Sequence, residues 1–279
     1  MEEVVERREL LLPGPAEALG ALLGVPVPDL RRGEGLPLLW HWVYLLDRPA
    51  QADLGPDGHP VRGTLPTPPG PGRRRMWAGG RVRANGSLRC DQTTTRRTSV
   101  LSVEEKQGRS GSLTFVVIQH QILQADRIVI DEEQDIVYRD AVAPTPAPAA
   151  EADQGPVVAA AAGERSVDTS PTLLFRFSAL TYNGHRIHYD RDYARDVEGY
   201  PGLLVHGPLQ ALAMAEAARA SGGADHRFFE YRLVAPLFDG RGMVVTAVPG
   251  EEPIRTGVRD LYGRPTATGA LWSAAKHAV

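Results

Sequence analysis

The chain has 279 residues, of which 42% are hydrophobic and 23% charged, and its formal net charge is −3 at pH 7. This length suits two domains of common size, and the lack of a bulk positive charge makes nucleic acid an unexpected partner. A charged N-terminus, the lack of a long apolar run and a single cysteine, Cys90, lead us to expect a cytoplasmic protein without a signal peptide, a membrane span or a disulfide.

The first half of the chain predicts one short helix and an antiparallel meander. The apolar segment 37–46, rich in Leu and Trp, predicts a buried helix. After a Pro/Gly-rich loop over residues 53–72, runs of Thr, Val, Ile and Phe predict strands at 94–105, 112–124 and 128–138. A polar, Gly-containing turn separates the first two of these strands. We expect the resulting sheet to wrap around the helix.

An Ala/Pro-rich stretch over residues 141–170 predicts a linker, because it has too few large apolar side chains to form a core. We therefore divide the chain into domains at 1–140 and 171–279. The second domain predicts a strand at 173–180, a polar segment at 181–202 and a helix at 208–220, which Pro208 begins and Gly222 and Gly223 end. Further strands are predicted near 228–234, 243–248, 254–261 and 266–273. Each half thus predicts one copy of an α+β unit.

The densest group of polar side chains lies between the predicted strand at 173–180 and the predicted helix. It contains His185 and His188, and His206 follows just before the helix. Histidine transfers protons readily near neutral pH. A zinc site is less well supported, because no third ligand is fixed by spacing, and the segment has no nucleophile elbow for a serine hydrolase. Proton transfer by one histidine, assisted by a neighbouring amide, requires no residue that the sequence lacks.

Residues 181–188 resemble the motif of the MaoC-like, R-specific enoyl-thioester hydratases, which reads Ser-Gly-Asp-x-Asn-Pro-x-His. His188 stands at the place of the motif histidine, and Asn183 stands at the place of the aspartate. Segments 183–190 and 200–208 are similar to the branch of mesaconyl-CoA (3-methylfumaryl-CoA) hydratase and hydroxyacyl-thioester dehydratase. Segments 74–80, 97–99 and 103–111 resemble the N-terminal domain of that branch. The resemblance therefore extends over both halves of the chain.

The fold implied by this resemblance is α+β, a double hot dog in which two antiparallel sheets each wrap a central helix. Only the C-terminal half would carry the catalytic motif. The resemblance also implies that His188 is the base and that the backbone N–H near Gly207 receives the charge on the thioester oxygen. Asn183 would position the water, because an amide cannot act as a general acid.

Several neighbouring side chains are candidates for substrate contacts, although each also has a simple structural explanation. Arg186 could bind a phosphate or a carboxylate, since a guanidinium suits both, or could be a solvated surface side chain. His185 and His206 could contact substrate, or could hold the loop and the start of the helix. Tyr189 could contact substrate, but we favour hydrogen bonding within the loop.

The sequence thus predicts a reversible hydratase/dehydratase acting on a 2-enoyl or 3-hydroxyacyl thioester, possibly of the mesaconyl type. No metal or separate cofactor is expected, since coenzyme A or an acyl carrier would be part of the substrate. A hot-dog thioesterase, an enzyme that adds an amine to the enoyl thioester and a non-catalytic acyl-thioester-binding module remain open. The protein is expected to be a monomeric pseudodimer or a homodimer.

Overall fold

In a computed structural model, the chain is described over residues 3–62, 73–108, 111–140, 155–222, 226–250 and 252–273. Within these ranges, the first half contains one α-helix, α1 (Pro13–Leu23), and five strands. The strands are β1 (Val5–Leu10), β2 (Arg73–Ala84), β3 (Thr93–Gly108), β4 (Gly111–Gln124) and β5 (Arg127–Asp140). The three strands predicted from the sequence are confirmed as β3, β4 and β5. Sequence patterning did not predict α1, β1 or β2.

The described residues of the second half form two α-helices, α2 (Pro171–Leu180) and α3 (Gly207–Ala220), and five strands. The strands are β6 (Arg165–Val167), β7 (His226–Leu233), β8 (Met243–Val248), β9 (Ile254–Arg259) and β10 (Pro265–Ser273). The predicted helix is confirmed as α3 and the four last strands are confirmed as β7 to β10. Residues 141–154 of the predicted linker lie outside the described residues, and β6 pairs with β8. The proposed domain boundaries stay a prediction.

All ten strands form one antiparallel sheet, in the order β1-β3-β4-β5-β2-β7-β10-β9-β8-β6. From the outer edge to the middle, the strands of the first half are β1, β3, β4, β5 and β2, and those of the second half are β6, β8, β9, β10 and β7. Each half therefore arranges its five strands in the same order. The two second strands, β2 and β7, pair antiparallel in the middle, with Arg81 opposite Glu230. The topology is therefore that of a repeated unit joined edge to edge. We expected two separate sheets, but the strands of both halves form one continuous sheet.

The long helix of the second half lies against this sheet. Helix α3 contacts strands β2, β7, β8, β9 and β10, and its small side chains Ala211, Ala215 and Ala218 are buried. Small residues allow the strands to approach the helix closely. None of the helices in the described ranges has both the length and the apolar character that crossing a membrane requires.

Two predicted elements differ from the structure. Residues 173–180 are helical rather than extended, because the Ser170 side chain caps α2 by accepting from the Leu173 N–H, and Pro171 suits its first turn. In the first half, the predicted helix at 37–46 is reduced to a 3₁₀ turn, Trp40–Val43. The first half therefore lacks an equivalent of α3 among its described residues.

This 3₁₀ turn is anchored by buried polar contacts. The Trp40 indole donates to Glu216 on α3 at 2.7 Å, and the Trp42 indole donates to Glu132 on β5 at 2.8 Å. His41 Nε2 lies 2.8 Å from the other Glu132 oxygen. Burial opposes the ionisation of Glu132, but the attraction of His41 and its hydrogen bond prevail and lower the Glu132 pKa to about 2. These contacts fix the 3₁₀ turn against both the sheet and α3.

Candidate active site

The motif residues 181–188 form a tight loop between α2 and the segment that leads to α3. Tyr182 has φ 52°, in the left-handed region, at the place where the resembled motif has glycine. The Asn183 N–H donates to the Ser178 carbonyl at 2.8 Å, and Asn183 Oδ1 accepts from the His185 N–H at 3.0 Å. Because Oδ1 of Asn183 already accepts the His185 N–H, its NH₂ group is the part of the amide that is left to donate hydrogen bonds.

His188 is buried, with 7% of its surface exposed, and lies in the 3₁₀ turn Arg186–His188. Its Nδ1–H donates to the Leu204 carbonyl at 2.7 Å, which fixes the tautomer and leaves Nε2 as an acceptor. Burial lowers the His188 pKa to about 4, although the bond to Leu204 acts in the opposite direction. His188 is therefore a neutral imidazole near pH 7, with Nε2 able to accept a proton.

His206 packs face to face with His188, with ring centroids 3.6 Å apart and planes inclined by 20°. Its Nε2 lies 2.9 Å from the Ser178 hydroxyl, and its ring meets the edge of Phe177 at 4.8 Å. Burial, followed by repulsion from His188, holds the His206 pKa well below its usual value. Among the described residues, its buried Nδ1 has no hydrogen-bond partner. His206 thus supports the His188 ring and retains one unused nitrogen.

Gly207 is the first residue of α3, and Pro208 follows it. A side chain at this position would meet the sheet, because a Cβ on Gly207 would lie 2.1 Å from Leu233 Cδ1. Within the described part of the chain, the Gly207 N–H has no backbone acceptor. A helix start presents such free N–H groups and a partial positive charge. The segment beside His188 is therefore suited to receive negative charge on an oxygen atom.

His185 and a fourth histidine, His59, extend the cluster on the other side of His188. The His185 ring is 5.5 Å from that of His188 and 4.2 Å from that of His59. His59 comes from the loop of the first half, which the sequence indicated only as Pro/Gly-rich. The position of His59 beside His185 depends on the fold, because no sequence spacing links residue 59 to the motif.

The loop that carries His59 is docked on the motif by backbone contacts. The Arg186 N–H donates to the Asp57 carbonyl at 2.8 Å, and the Arg186 guanidinium donates to the Pro56 carbonyl at 3.0 Å. Gly58 has φ 83°, and a Cβ there would lie 2.0 Å from the Gly184 carbonyl oxygen. Both halves of the chain therefore contribute to the site.

Arg186 and Tyr189, our candidates for substrate contacts, are both engaged within the protein. Arg186 forms an ion pair with Asp190 at 2.7 Å, and its guanidinium stacks over the Tyr193 ring at 4.0 Å. The Tyr189 hydroxyl donates to the Gly184 carbonyl at 2.8 Å. These contacts explain both residues as supports of the loop, and a direct contact with substrate stays a prediction.

The cluster is electrostatically unusual because its imidazoles are uncharged near neutral pH. Burial is the largest cause of the lowered pKa values of His59 and His185. The charge of Arg75 comes next at His59, and at His185 the charge that His59 would carry if protonated comes next. In the described ranges, no group of three or more His, Cys, Asp or Glu side chains is arranged to hold a metal ion. The site offers neutral proton acceptors and N–H donors.

A family model for hydroxyacyl-thioester dehydratase type 2 matches residues 39–239, which contain the His59 loop, the motif and α3. The chain belongs to this family. It is 49% identical over 216 residues to mesaconyl-C(4)-CoA hydratase of Chloroflexus aurantiacus, a similarity that covers 77% of this chain and 74% of that protein. The resemblance inferred from the motifs is therefore confirmed.

Solved structures confirm the fold of this dehydratase family member. A MaoC-like dehydratase from Phytophthora capsici matches with a TM-score of 0.68, covering 100% of this chain and 97% of that chain at 14% identity. A Mycobacterium tuberculosis protein described as having a double hotdog fold matches with a TM-score of 0.57, covering 97% and 94% of the two chains at 17% identity. The hot-dog architecture is thus shared although the sequences have diverged.

Proposed function

We propose that this dehydratase family member is a hydro-lyase that adds water reversibly to the C2–C3 double bond of an enoyl thioester. The observation that carries the proposal is the state of His188, a buried neutral imidazole whose Nδ1–H is bound to the Leu204 carbonyl. Its Nε2 is left to accept a proton. The family and the 49% identity to a hydratase support the same reaction class.

In the hydration direction, His188 Nε2 takes a proton from water while the water oxygen forms a bond to C3. The double-bond electrons move toward C2 and the thioester carbonyl, whose oxygen becomes an enolate-like oxyanion. The Gly207 N–H at the start of α3 stabilises that charge. The protonated His188 then returns a proton to C2 on the same face, so that one water has been added. Dehydration is the reverse.

Asn183 orients the water in this proposal. Its Oδ1 is committed to the His185 N–H, so its NH₂ group is the end that can donate to the water or to the product hydroxyl. An amide cannot release a proton at neutral pH, which leaves both proton transfers to His188. His206 keeps the His188 ring in place by stacking on it.

We infer that the substrate is presented as a coenzyme A thioester, because the 49% identical relative is named for a CoA substrate. Coenzyme A would be part of the substrate, and the mechanism uses no metal or separate cofactor. The joined halves already pair two sheet edges, which supports a monomeric pseudodimer, with a homodimer as the alternative. The single buried thiol, Cys90, is compatible with a cytoplasmic location.

One incubation separates this proposal from its alternatives. We expect purified protein to remove the enoyl absorbance of crotonyl-CoA without releasing free thiol, and a 3-hydroxyacyl-CoA product to accumulate. Release of free thiol would instead identify a thioesterase. Turnover only in the presence of an amine would identify an amine-adding enzyme, and binding without conversion would identify a non-catalytic module. Each of these three outcomes would overturn the proposed reaction.

A further inference from the structure

His206 contains a buried ring nitrogen that makes no hydrogen bond within the described part of the chain. The side chain is only 1% exposed, and this nitrogen is Nδ1. The next residue, Gly207, begins α3 with a backbone N–H that likewise lacks a backbone acceptor in the described ranges. Buried polar groups are normally paired, so two unpaired positions on adjacent residues indicate that a ligand atom completes them.

The other ring nitrogen of His206 shows where the imidazole proton lies. Nε2 is 2.9 Å from the Ser178 hydroxyl, and this is the hydroxyl's one hydrogen bond among the described residues. Ser178 is itself only 4% exposed. If the hydroxyl accepted from Nε2–H, its own O–H and the bare Nδ1 would both be unpaired; if it donates to Nε2, Nδ1–H alone is unpaired. The second arrangement satisfies more buried groups and therefore places the proton on Nδ1.

The resulting donor is uncharged near neutral pH. Burial, followed by repulsion from a charge on His188, keeps the pKa of His206 well below its usual value. A neutral imidazole beside a helix N-terminus can polarise a substrate carbonyl through its N–H. The partial positive charge at the start of α3 acts in the same direction, because it favours negative charge on a nearby oxygen.

Stacking of the two histidines places this donor beside the base. The rings of His188 and His206 have centroids 3.6 Å apart and planes inclined by 20°. Because an imidazole forms hydrogen bonds in its ring plane, the free nitrogens of the two rings serve neighbouring, nearly parallel layers. In an enoyl thioester, the carbonyl oxygen is separated from C2 by the carbonyl carbon alone. A base in one layer and a donor in the next therefore suit C2 and the thioester oxygen of one substrate.

We propose that His206 Nδ1–H and the Gly207 N–H together form the oxyanion hole, and that Ser178 is a positioning residue that keeps the His206 proton on Nδ1. This inference rests on the proposed hydratase activity and adds a second catalytic donor to it. As water adds to C3, electrons of the C2–C3 bond move toward the thioester oxygen, and both hydrogen bonds to that oxygen strengthen. No proton leaves His206, and the oxygen loses its charge when His188 protonates C2.

The position of the His206 proton can be measured directly. NMR chemical shifts of the imidazole nitrogens report which nitrogen is protonated, and the His206 signals are assigned by their loss in His206→Phe. We expect the wild-type protein near pH 7 to carry this proton on Nδ1. In Ser178→Ala the ring loses the hydroxyl that fixes the tautomer, so the fraction with Nδ1–H should fall. A wild-type His206 protonated on Nε2 would overturn the inference.

Butyryl-CoA tests the donor without turnover, because it has the thioester but no C2–C3 double bond. Hydrogen bonds lower the stretching frequency of a carbonyl, which isotope-edited infrared difference spectroscopy measures. We expect the frequency to fall on binding to the wild-type protein and to fall less with His206→Phe, which keeps a ring against His188 but has no N–H. His120→Phe is the matched control and should behave as wild type, since His120 is also buried and bonded to a hydroxyl, that of Thr98. Equal frequencies in His206→Phe and wild type would contradict the proposed donor.

Turnover of crotonyl-CoA distinguishes the two ring nitrogens. The amide nitrogen of Asn can take the place of Nδ1, and that of Gln the place of Nε2. We expect kcat to fall by about 10²- to 10³-fold in His206→Phe and His206→Gln, the usual cost of removing an oxyanion donor, with KM changed much less. His206→Asn should recover part of the loss. Recovery in His206→Gln but not in His206→Asn, or equal losses in both, would show that the ring is only structural.

Failure of this inference and failure of the hydratase activity give different results. A wild-type protein that lowers the carbonyl frequency of butyryl-CoA but does not hydrate crotonyl-CoA retains the two donors and lacks the proposed reaction. Hydration by the wild-type protein with an unchanged kcat in His206→Phe retains the reaction and excludes the second donor. If His206→Phe does not bind butyryl-CoA, the tautomer of the wild-type protein decides, since a proton on Nδ1 supports the inference and one on Nε2 overturns it.

Discussion

In the proposed mechanism, His188 owes its role as the base to its surroundings as much as to its residue type. An exposed histidine would be partly protonated near pH 6.5 and would titrate within the physiological range. Here burial lowers the pKa to about 4, and the Leu204 carbonyl directs the bare Nε2 away from the backbone. The result is an imidazole that stays neutral near pH 7 and holds an added proton only weakly, as the proposed return of that proton to C2 requires.

This state predicts the pH dependence of the reaction. The base must be neutral, so kcat/KM for hydration of crotonyl-CoA should stay level from about pH 7 down to about pH 5 and fall only as the pH approaches 4. The measurement is an initial-rate profile in buffers of constant ionic strength. An acidic limb centred near pH 6.5 would mean that the essential base is an ordinary, solvated histidine.

Individual site residues differed in how far the sequence could predict them. His185, His188 and Asn183 could be selected because they lie together in a motif with defined spacing. His59 could not, because its contact with His185 depends on how a loop of the first half crosses to the second. Arg186 was a reasonable candidate by residue type, but its pairing with Asp190 depends on the turn that the loop adopts.

At the scale of elements, the docked loop over residues 51–62 completes the site. Gly58 allows the backbone of this loop to touch Gly184, which brings His59 to His185. The positive φ of Gly58 and the closeness of the Gly184 carbonyl both exclude a side chain there. We therefore infer that the contact between Gly58 and Gly184 holds the loop of the first half against the motif at 181–188.

A substitution at Gly58 tests whether this contact matters to the site. Gly58→Ala should displace the loop from Gly184, because backbone atoms cannot yield as a flexible side chain can, and should lower kcat/KM at least about tenfold through misplacement of site groups. Gly14→Ala in α1 is the control, since a Cβ there meets nothing within 4 Å. Wild-type activity in Gly58→Ala would show that docking of the loop does not matter to the site.

Sequence patterning predicted strands better than helices in this chain. The long runs of β3, β4 and β5 contain enough β-branched residues to be identified directly. Helix α2 was missed because its apolar residues lie close together in a short segment, where helix and strand patterns are hard to distinguish. Its buried residues, Leu174, Phe177 and Ser178, have the spacing of one helix face.

At the scale of the whole molecule, two copies of one strand order are joined through β2 and β7. The sequence indicated a repeated α+β unit from its run of predicted elements, but strand pairing between the halves depends on contacts that no local pattern specifies. The 3₁₀ turn that replaces the helix predicted at 37–46 likewise depends on tertiary contacts, in which Trp40 donates to Glu216 of the second half. The two halves thus share one strand order, but only the second half packs a long helix, α3, against the sheet among the described residues.

Buried and half-buried histidines should make the stability of the whole protein depend on pH. Lowered pKa values are found for His59, His120, His185, His188 and His206. Between the unfolded value near 6.5 and the lower folded values, the unfolded chain binds more protons, so stability is lost as the pH falls. Each such histidine contributes up to about 1.4 kcal/mol per pH unit.

Thermal unfolding between pH 8 and pH 5 measures this effect. We expect Tm to be nearly constant above about pH 7 and to fall steadily below about pH 6.5. Protonation of Glu132, with a pKa near 2, would add to the loss only below about pH 4.5. A Tm that is unchanged or higher at pH 5 than at pH 7 would contradict the assignment of these histidines as neutral in the folded protein.

The central claim is that His188 moves the protons in the hydration of an enoyl thioester, and the most direct test is the turnover of crotonyl-CoA by His188→Gln. We predict that kcat falls by about 10²- to 10⁴-fold, the usual contribution of a general acid-base residue. His120→Gln, which alters a buried histidine bonded to Thr98 in the other half, should keep its activity if it remains folded. Normal turnover by a folded His188→Gln variant would contradict the account.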